Sequence, residues 1–163
     1  MKKFFLSAAL LLCMCIGMMA QAKVTPIEYP IGIDWKFKRS FLHGNTLVVD
    51  FVVENNTSKD ISLSISYRGC PNQIGWFNIT AYDDEGNVYT NDLIGGHFSG
   101  KFGATDRLFS TEMIPTGNLI KVRMQIAGVD EYATTIKTLL IPTQIIGSDY
   151  SAIRVTNIPI PRE

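Results

Sequence analysis

Three stretches of this chain carry apolar side chains at every second position, and a period of two is the signature of a strand with one buried face. In Thr46 to Glu54 the apolar face is Leu47, Val49, Phe51 and Val53, with Asp50 and Glu54 opposite. Ile61, Leu63, Ile65 and Tyr67 alternate with Ser62, Ser64 and Ser66, and Ile120, Val122, Met124 and Ile126 alternate with Lys121, Arg123 and Gln125. A slip of one residue in any of them would bury serines or charges, so each register is well specified. Weaker strand patterns cover Ile33 to Phe41, Trp76 to Tyr82, Val88 to Asp92, Leu108 to Met113, Thr138 to Ile141 and Ala152 to Ile158. Between the strands, His43-Gly44-Asn45, Asn55-Asn56-Thr57-Ser58, Asp84-Glu85-Gly86-Asn87 and Pro115-Thr116-Gly117-Asn118 supply the residues that chain reversals require. Asp130 to Leu139 has roughly helical spacing at Tyr132, Ile136 and Leu139, against which stand Thr134 and Thr135. Many short strands with regular turns predict two antiparallel sheets packed face to face, with an up-and-down barrel as the alternative.

Of the 163 residues, 46% are hydrophobic and 18% charged, a balance foreign to disordered, collagenous or coiled-coil chains. The first 22 residues stand apart. Lys2 and Lys3, the apolar run Phe4 to Met19 and the small-x-small site Ala20-Gln21-Ala22 predict a cleaved secretory signal, 1–22, with the mature domain, 23–163, beginning at Lys23. The apolar run is shorter than the ~20 residues a stable membrane span needs, and no later segment is apolar enough. Leu12 before Cys13 and Met14 before Cys15 fit a lipoprotein site poorly. Two of the 15 basic residues fall within the signal, leaving 13 against 15 acidic ones and a formal charge of −2. No field of that size points to nucleic acid or an anionic membrane. Lys23 to Pro30 is expected to be an extended, mobile lead-in.

The stretch Gly44 to Asn56, then Lys59-Asp60-Ile61, resembles a recurring element of secreted bacterial immunoglobulin-like domains, a strand ending in Asn-Asn followed by a polar turn and a second strand. Phe77 to Tyr89, with Asp83-Asp84-Glu85-Gly86-Asn87, is similar to those domains' next hairpin, and Ile114-Pro115-Thr116-Gly117 to the turn opening a later strand. The resemblance implies an all-β, immunoglobulin-like antiparallel β-sandwich, acting outside the inner membrane, without a catalytic site common to the group. The paired cysteines of antibody-type domains are absent.

Candidate chemistry is sparse. Gly95-Gly96-His97-Phe98-Ser99-Gly100-Lys101 resembles the start of a phosphate-binding loop, but Phe102 stands where the magnesium-binding Ser or Thr belongs. The segment Leu93 to Thr105 is therefore expected to be a glycine-rich connection, with His97, Phe98, Lys101 and Phe102 as a contact rim for a partner. Cys70 with His43 or His97 would make a nucleophile and base only if the fold joined them, and an unpaired exported cysteine is more commonly buried or bridged to a second copy. Asp83 to Asn87 lacks the spacing of a calcium loop and is expected to be a hairpin turn. Trp35 and Trp76 are expected in the core. No cofactor or metal is expected. The resulting expectation is a periplasmic or extracellular, non-enzymatic binding or structural module with an unidentified protein or glycan partner, homodimerisation being one form of it. Its alternatives are a small-ligand carrier in a barrel and a thiol-dependent hydrolase.

Overall fold

The computed structural model describes residues 22–27, 31–66, 79–90, 92–98, 109–148 and 150–162. Eleven strands run in order: β1 (Lys23–Ile27), β2 (Ile33–His43), β3 (Thr46–Asn55), β4 (Ile61–Ser66), β5 (Thr80–Asp83), β6 (Val88–Thr90), β7 (Ile94–Phe98), β8 (Phe109–Ile114), β9 (Leu119–Ile126), β10 (Thr135–Ile145) and β11 (Tyr150–Pro159). They form two antiparallel sheets. One has the order β1-β11-β10-β4-β8, with β5 and β6 continuing beside β10, and the other has the order β2-β3-β9-β7. β10 is long enough to serve two partners on one side, its first half pairing with β5 and its last residues with β4. The chain is thus an all-β sandwich, and the sheets do not merge into the barrel held as an alternative.

The alternating stretches behave as their period requires. Leu47, Val49, Phe51 and Val53 of β3 stand beside Val122, Met124 and Ile126 of β9 on the inner face of their sheet, all at most 1% exposed. Ile61, Leu63 and Ile65 of β4 cover them from the other sheet together with Leu139, Ile141, Ile153 and Val155. Trp35 is buried as expected, edge-on to Phe51 at 5.9 Å between ring centres. Burial of each such side chain contributes roughly 1.5–3 kcal/mol, so the sandwich needs no disulfide.

Buried polar groups tie the strand ends. Asn55, fully buried at the end of β3, donates through Nδ2 to the carbonyls of Lys59 and Ile114, each at 2.9 Å. Its Oδ1 accepts from the Thr57 amide at 3.0 Å and the Thr57 hydroxyl at 2.6 Å. Gly117, at φ 72°, turns the chain so that its amide reaches the Asn55 carbonyl at 2.8 Å. One side chain therefore joins the β3–β4 turn to the β8–β9 turn. Asp83 plays the same part in the β5–β6 hairpin, accepting from the amides of Glu85 and Asn87, from Asn87 Nδ2 and from the Tyr89 hydroxyl at 2.7 Å. Both carboxylate oxygens of Asp83 are thus spent within the hairpin.

Several expectations are corrected. The lead-in is not loose over Lys23–Ile27, which pairs with β11 as an edge strand whose Val24 packs against the core. The strand expected at Thr138 to Ile141 is longer, running Thr135–Ile145, because Ile136 and Leu139 are needed on the inner face beside β11 and β5. Ser64, on the supposedly wet face of β4, is only 6% exposed, lying in register between Gln144 and Thr111 and bonded to the Thr111 hydroxyl. Gly95 to Phe98 is not loop but the outer strand β7 of the four-stranded sheet, paired with β9.

Candidate ligand-binding groove

Among the described residues, the outer face of the four-stranded sheet carries the densest constellation of charge. Strand alternation turns Asp50 outward at the middle of β3, and the registers place Arg39 of β2 on one side of it and Arg123 of β9 on the other. Arg39 Nε donates to Asp50 Oδ2 at 2.9 Å, while Arg123 grips both carboxylate oxygens, Nε to Oδ1 at 2.6 Å and Nη2 to Oδ2 at 2.9 Å. Arg39 can face outward here because the β2–β3 register shifts between Phe37 and Arg39, so one extra residue, Lys38, bulges from the strand. Both guanidinium groups lie over the Phe41 ring, at 5.2 and 5.6 Å.

His97 completes the row. It stands opposite Arg123 in the β7–β9 register and is 5% exposed. Burial, with the neighbouring Arg123 charge, pushes its pKa below the ordinary value, against a smaller opposing pull from Asp50. The hydrogen bonds from Arg123 hold the Asp50 carboxyl below its usual value despite partial burial, with Arg39 adding to the effect. Arg123 is raised in turn by the same pairing.

Above this row lies an open groove of about 740 Å³ whose lining includes Lys38, Arg39, Asp50, His97, Lys121 and Arg123, with Leu119 and Val52 as apolar floor. Four cations thus share one carboxylate, already claimed by two of them. The next outer-face pair, Lys36 and Glu54 at 2.6 Å, is neutral by comparison. A second cleft, about 670 Å³, opens on the other side of β2, where Arg39, Lys137 and Arg162 are among its lining residues. Arg162 is held there by the carbonyls of Ala133 and Asp130, which fix the guanidinium without neutralising it.

Of the expected contact rim, His97 lies in this row, while Phe98 is 1% exposed and belongs to the core rather than to a rim. Lys101 and Phe102 lie outside the described residues, as do Cys70 and Trp76. His43 is exposed at the end of β2. Arg39, Asp50 and Arg123 were not singled out from the sequence. Their one local signal is an opposite charge at the centre of the polar face of two alternating strands, and it becomes informative only when the strands are known to be neighbours. Among the described residues no group of three or more His, Cys, Asp or Glu side chains is placed to hold a metal ion, and no helix is long and apolar enough to cross a membrane.

No protein-family model matches the chain, and no curated protein does. Among solved structures it is similar, at a TM-score of 0.48 and 8% identity, to a family 123 glycoside hydrolase from Clostridium perfringens, studied for glycolipid glycan hydrolysis. The likeness covers 81% of this chain and 28% of the hydrolase chain. The expectation that this chain is not an enzyme is corrected on that finding and withdrawn. A likeness this distant assigns no activity in its place.

Proposed function

We propose that the chain is an exported binding or structural module of the bacterial envelope or its exterior, built as an immunoglobulin-like sandwich, and that it meets its partner through the outer face of the four-stranded sheet. The observation that carries this reading is the concentration of Lys38, Arg39, Lys121 and Arg123 around a single carboxylate, on a mature chain whose formal charge is −2. Cations so gathered repel one another, and a fold retains such a cluster at a cost unless an anionic group meets it. The immunoglobulin-like assignment is supported by the order of the Asn55-Asn56, Asp83 to Asn87 and Ile114 to Gly117 motifs along the chain. Export is supported by Met1 to Ala22.

The test is capture of interacting molecules from the native envelope fraction by the wild-type chain, by Lys38→Glu with Lys121→Glu, and by Met113→Glu on the other sheet. Neither lysine bonds another described side chain, so the double variant changes charge without dismantling the sheet. Capture that survives Met113→Glu and is abolished by the groove variant is expected. Capture indifferent to the groove would reject the proposed surface.

A further inference from the structure

We infer that the partner is an acidic polysaccharide, its carboxylate or sulfate groups repeating along the chain, bound across both cationic clefts; this deepens the reading above and rests on it. The first observation is continuity. Arg39 lines the outer-face groove and the edge cleft alike, so Lys121, Arg123, Lys38, Arg39, Lys137 and Arg162 form one belt passing around β2. A single small anion would occupy one cleft and leave the other's cations unmatched. A polymer with regularly spaced charges matches both, the ammonium groups of Lys38, Lys121 and Lys137 meeting its carboxylate or sulfate oxygens beside arginines whose charge is only partly offset by Asp50.

The second observation concerns what the belt lacks. Phe41, the aromatic ring of the outer-face row, is already covered by the guanidinium groups of Arg39 and Arg123, and Phe37 of the edge cleft packs against the core, edge-on to Phe51 at 6.2 Å, which leaves little stacking platform for nucleobases. β2 is an edge strand in the sheet order, the place where an acidic peptide would add by main-chain pairing. Its bulge at Lys38 and the exposed charges of Asp34, Lys36 and Lys38 blunt that edge in the way sheets avoid strand addition. Recognition by charge alone, needing neither stacking nor strand pairing, is what an acidic polysaccharide requires.

The test uses the chain as recovered from an exporting host, with polygalacturonate and dextran sulfate as probes and neutral dextran, polyglutamate and duplex DNA as comparisons. Binding is followed by calorimetry at low and moderate salt. At least one acidic polysaccharide is expected to bind, weakening about tenfold or more as salt rises from about 50 to 200 mM, with neutral dextran inert. The triple variant Lys38→Gln, Lys121→Gln, Lys137→Gln is expected to lose about tenfold or more, and Lys59→Gln, outside both clefts, to lose nothing. The two probes distinguish carboxylate from sulfate. Polyglutamate or DNA bound as tightly as the polysaccharides, failure of both polysaccharides to bind, or an unchanged triple variant would each overturn the inference. If the polysaccharides fail while envelope capture still depends on the groove, the ligand class is wrong and the surface stands.

Discussion

Replacing Asn55 by leucine tests whether a single buried amide holds two turns of the sandwich together. Leucine keeps the branch at Cγ but its methyl groups are bulkier than the amide, so an overpacking cost adds to the loss of four hydrogen bonds. The bond to the Ile114 carbonyl is buried, and leaving that acceptor unpaired costs about 1–3 kcal/mol. The Lys59 carbonyl still accepts from the Thr57 hydroxyl at 2.9 Å, while the part-buried Thr57 amide and hydroxyl lose roughly 0.5–1.5 kcal/mol each. The expected total is about 2–6 kcal/mol, a large share of the ~5–15 kcal/mol that holds a typical domain folded. The backbone bonds from Asn55 to Asn118 and Gly117 survive the change. Asn56→Leu, which removes exposed bonds to Asp34 and Glu54, is expected to cost less than about 1 kcal/mol. Asn55→Asp sharpens the test. Its carboxylate still accepts from Thr57 but confronts the Ile114 and Lys59 carbonyls, so its folded pKa is raised, and the variant is expected to regain stability as pH falls and the group protonates. Urea unfolding followed by tryptophan fluorescence measures all three. If Asn55→Leu costs no more than Asn56→Leu, or Asn55→Asp gains nothing on acidification, the amide is not the tie described.

Leu63→Asp places an unpaired carboxylate in the core and is expected to cost several kcal/mol in the same assay, whereas Ser62→Asp, on the half-exposed face, is expected to stay within ~0.5 kcal/mol; equal effects would reject the β4 register. His97 has a folded pKa below its ordinary 6.5, so its contribution to stability is present above pH 6.5 and is lost as pH falls through the folded value; His97→Gln is expected to flatten the urea midpoint between pH 5 and 7, and an unchanged profile would refute its burial. N-terminal sequencing of the exported protein is expected to read from Lys23, and an intact Met1 or a lipid-modified cysteine would contradict the secretory signal.

The strands that were legible in the sequence are those whose two faces differ. β3, β4 and β9 announce themselves because each must be apolar toward the other sheet, and the positive φ of Gly86 and Gly117 shows why glycine sits in two of the expected turns. β7 was hidden because two glycines give it little strand character. Its conformation comes from pairing with β9, whose register places Gly96 beside Met124, and not from local preference. Val48 and Val52 of β3 are likewise buried on the outer face, standing in register between Phe41 and Gln125 and between Lys36 and Lys121.

The chain's own letters therefore determined the class of fold, the inner faces of its best strands and the turns, because each depends on residues a few positions apart. The groove depends on Arg39, Asp50, His97 and Arg123, which come from four different strands. Only the sheet order β2-β3-β9-β7 and the bulge at Lys38 bring those four into one row, since pairing partners are chosen by packing across the whole sandwich and leave no local trace.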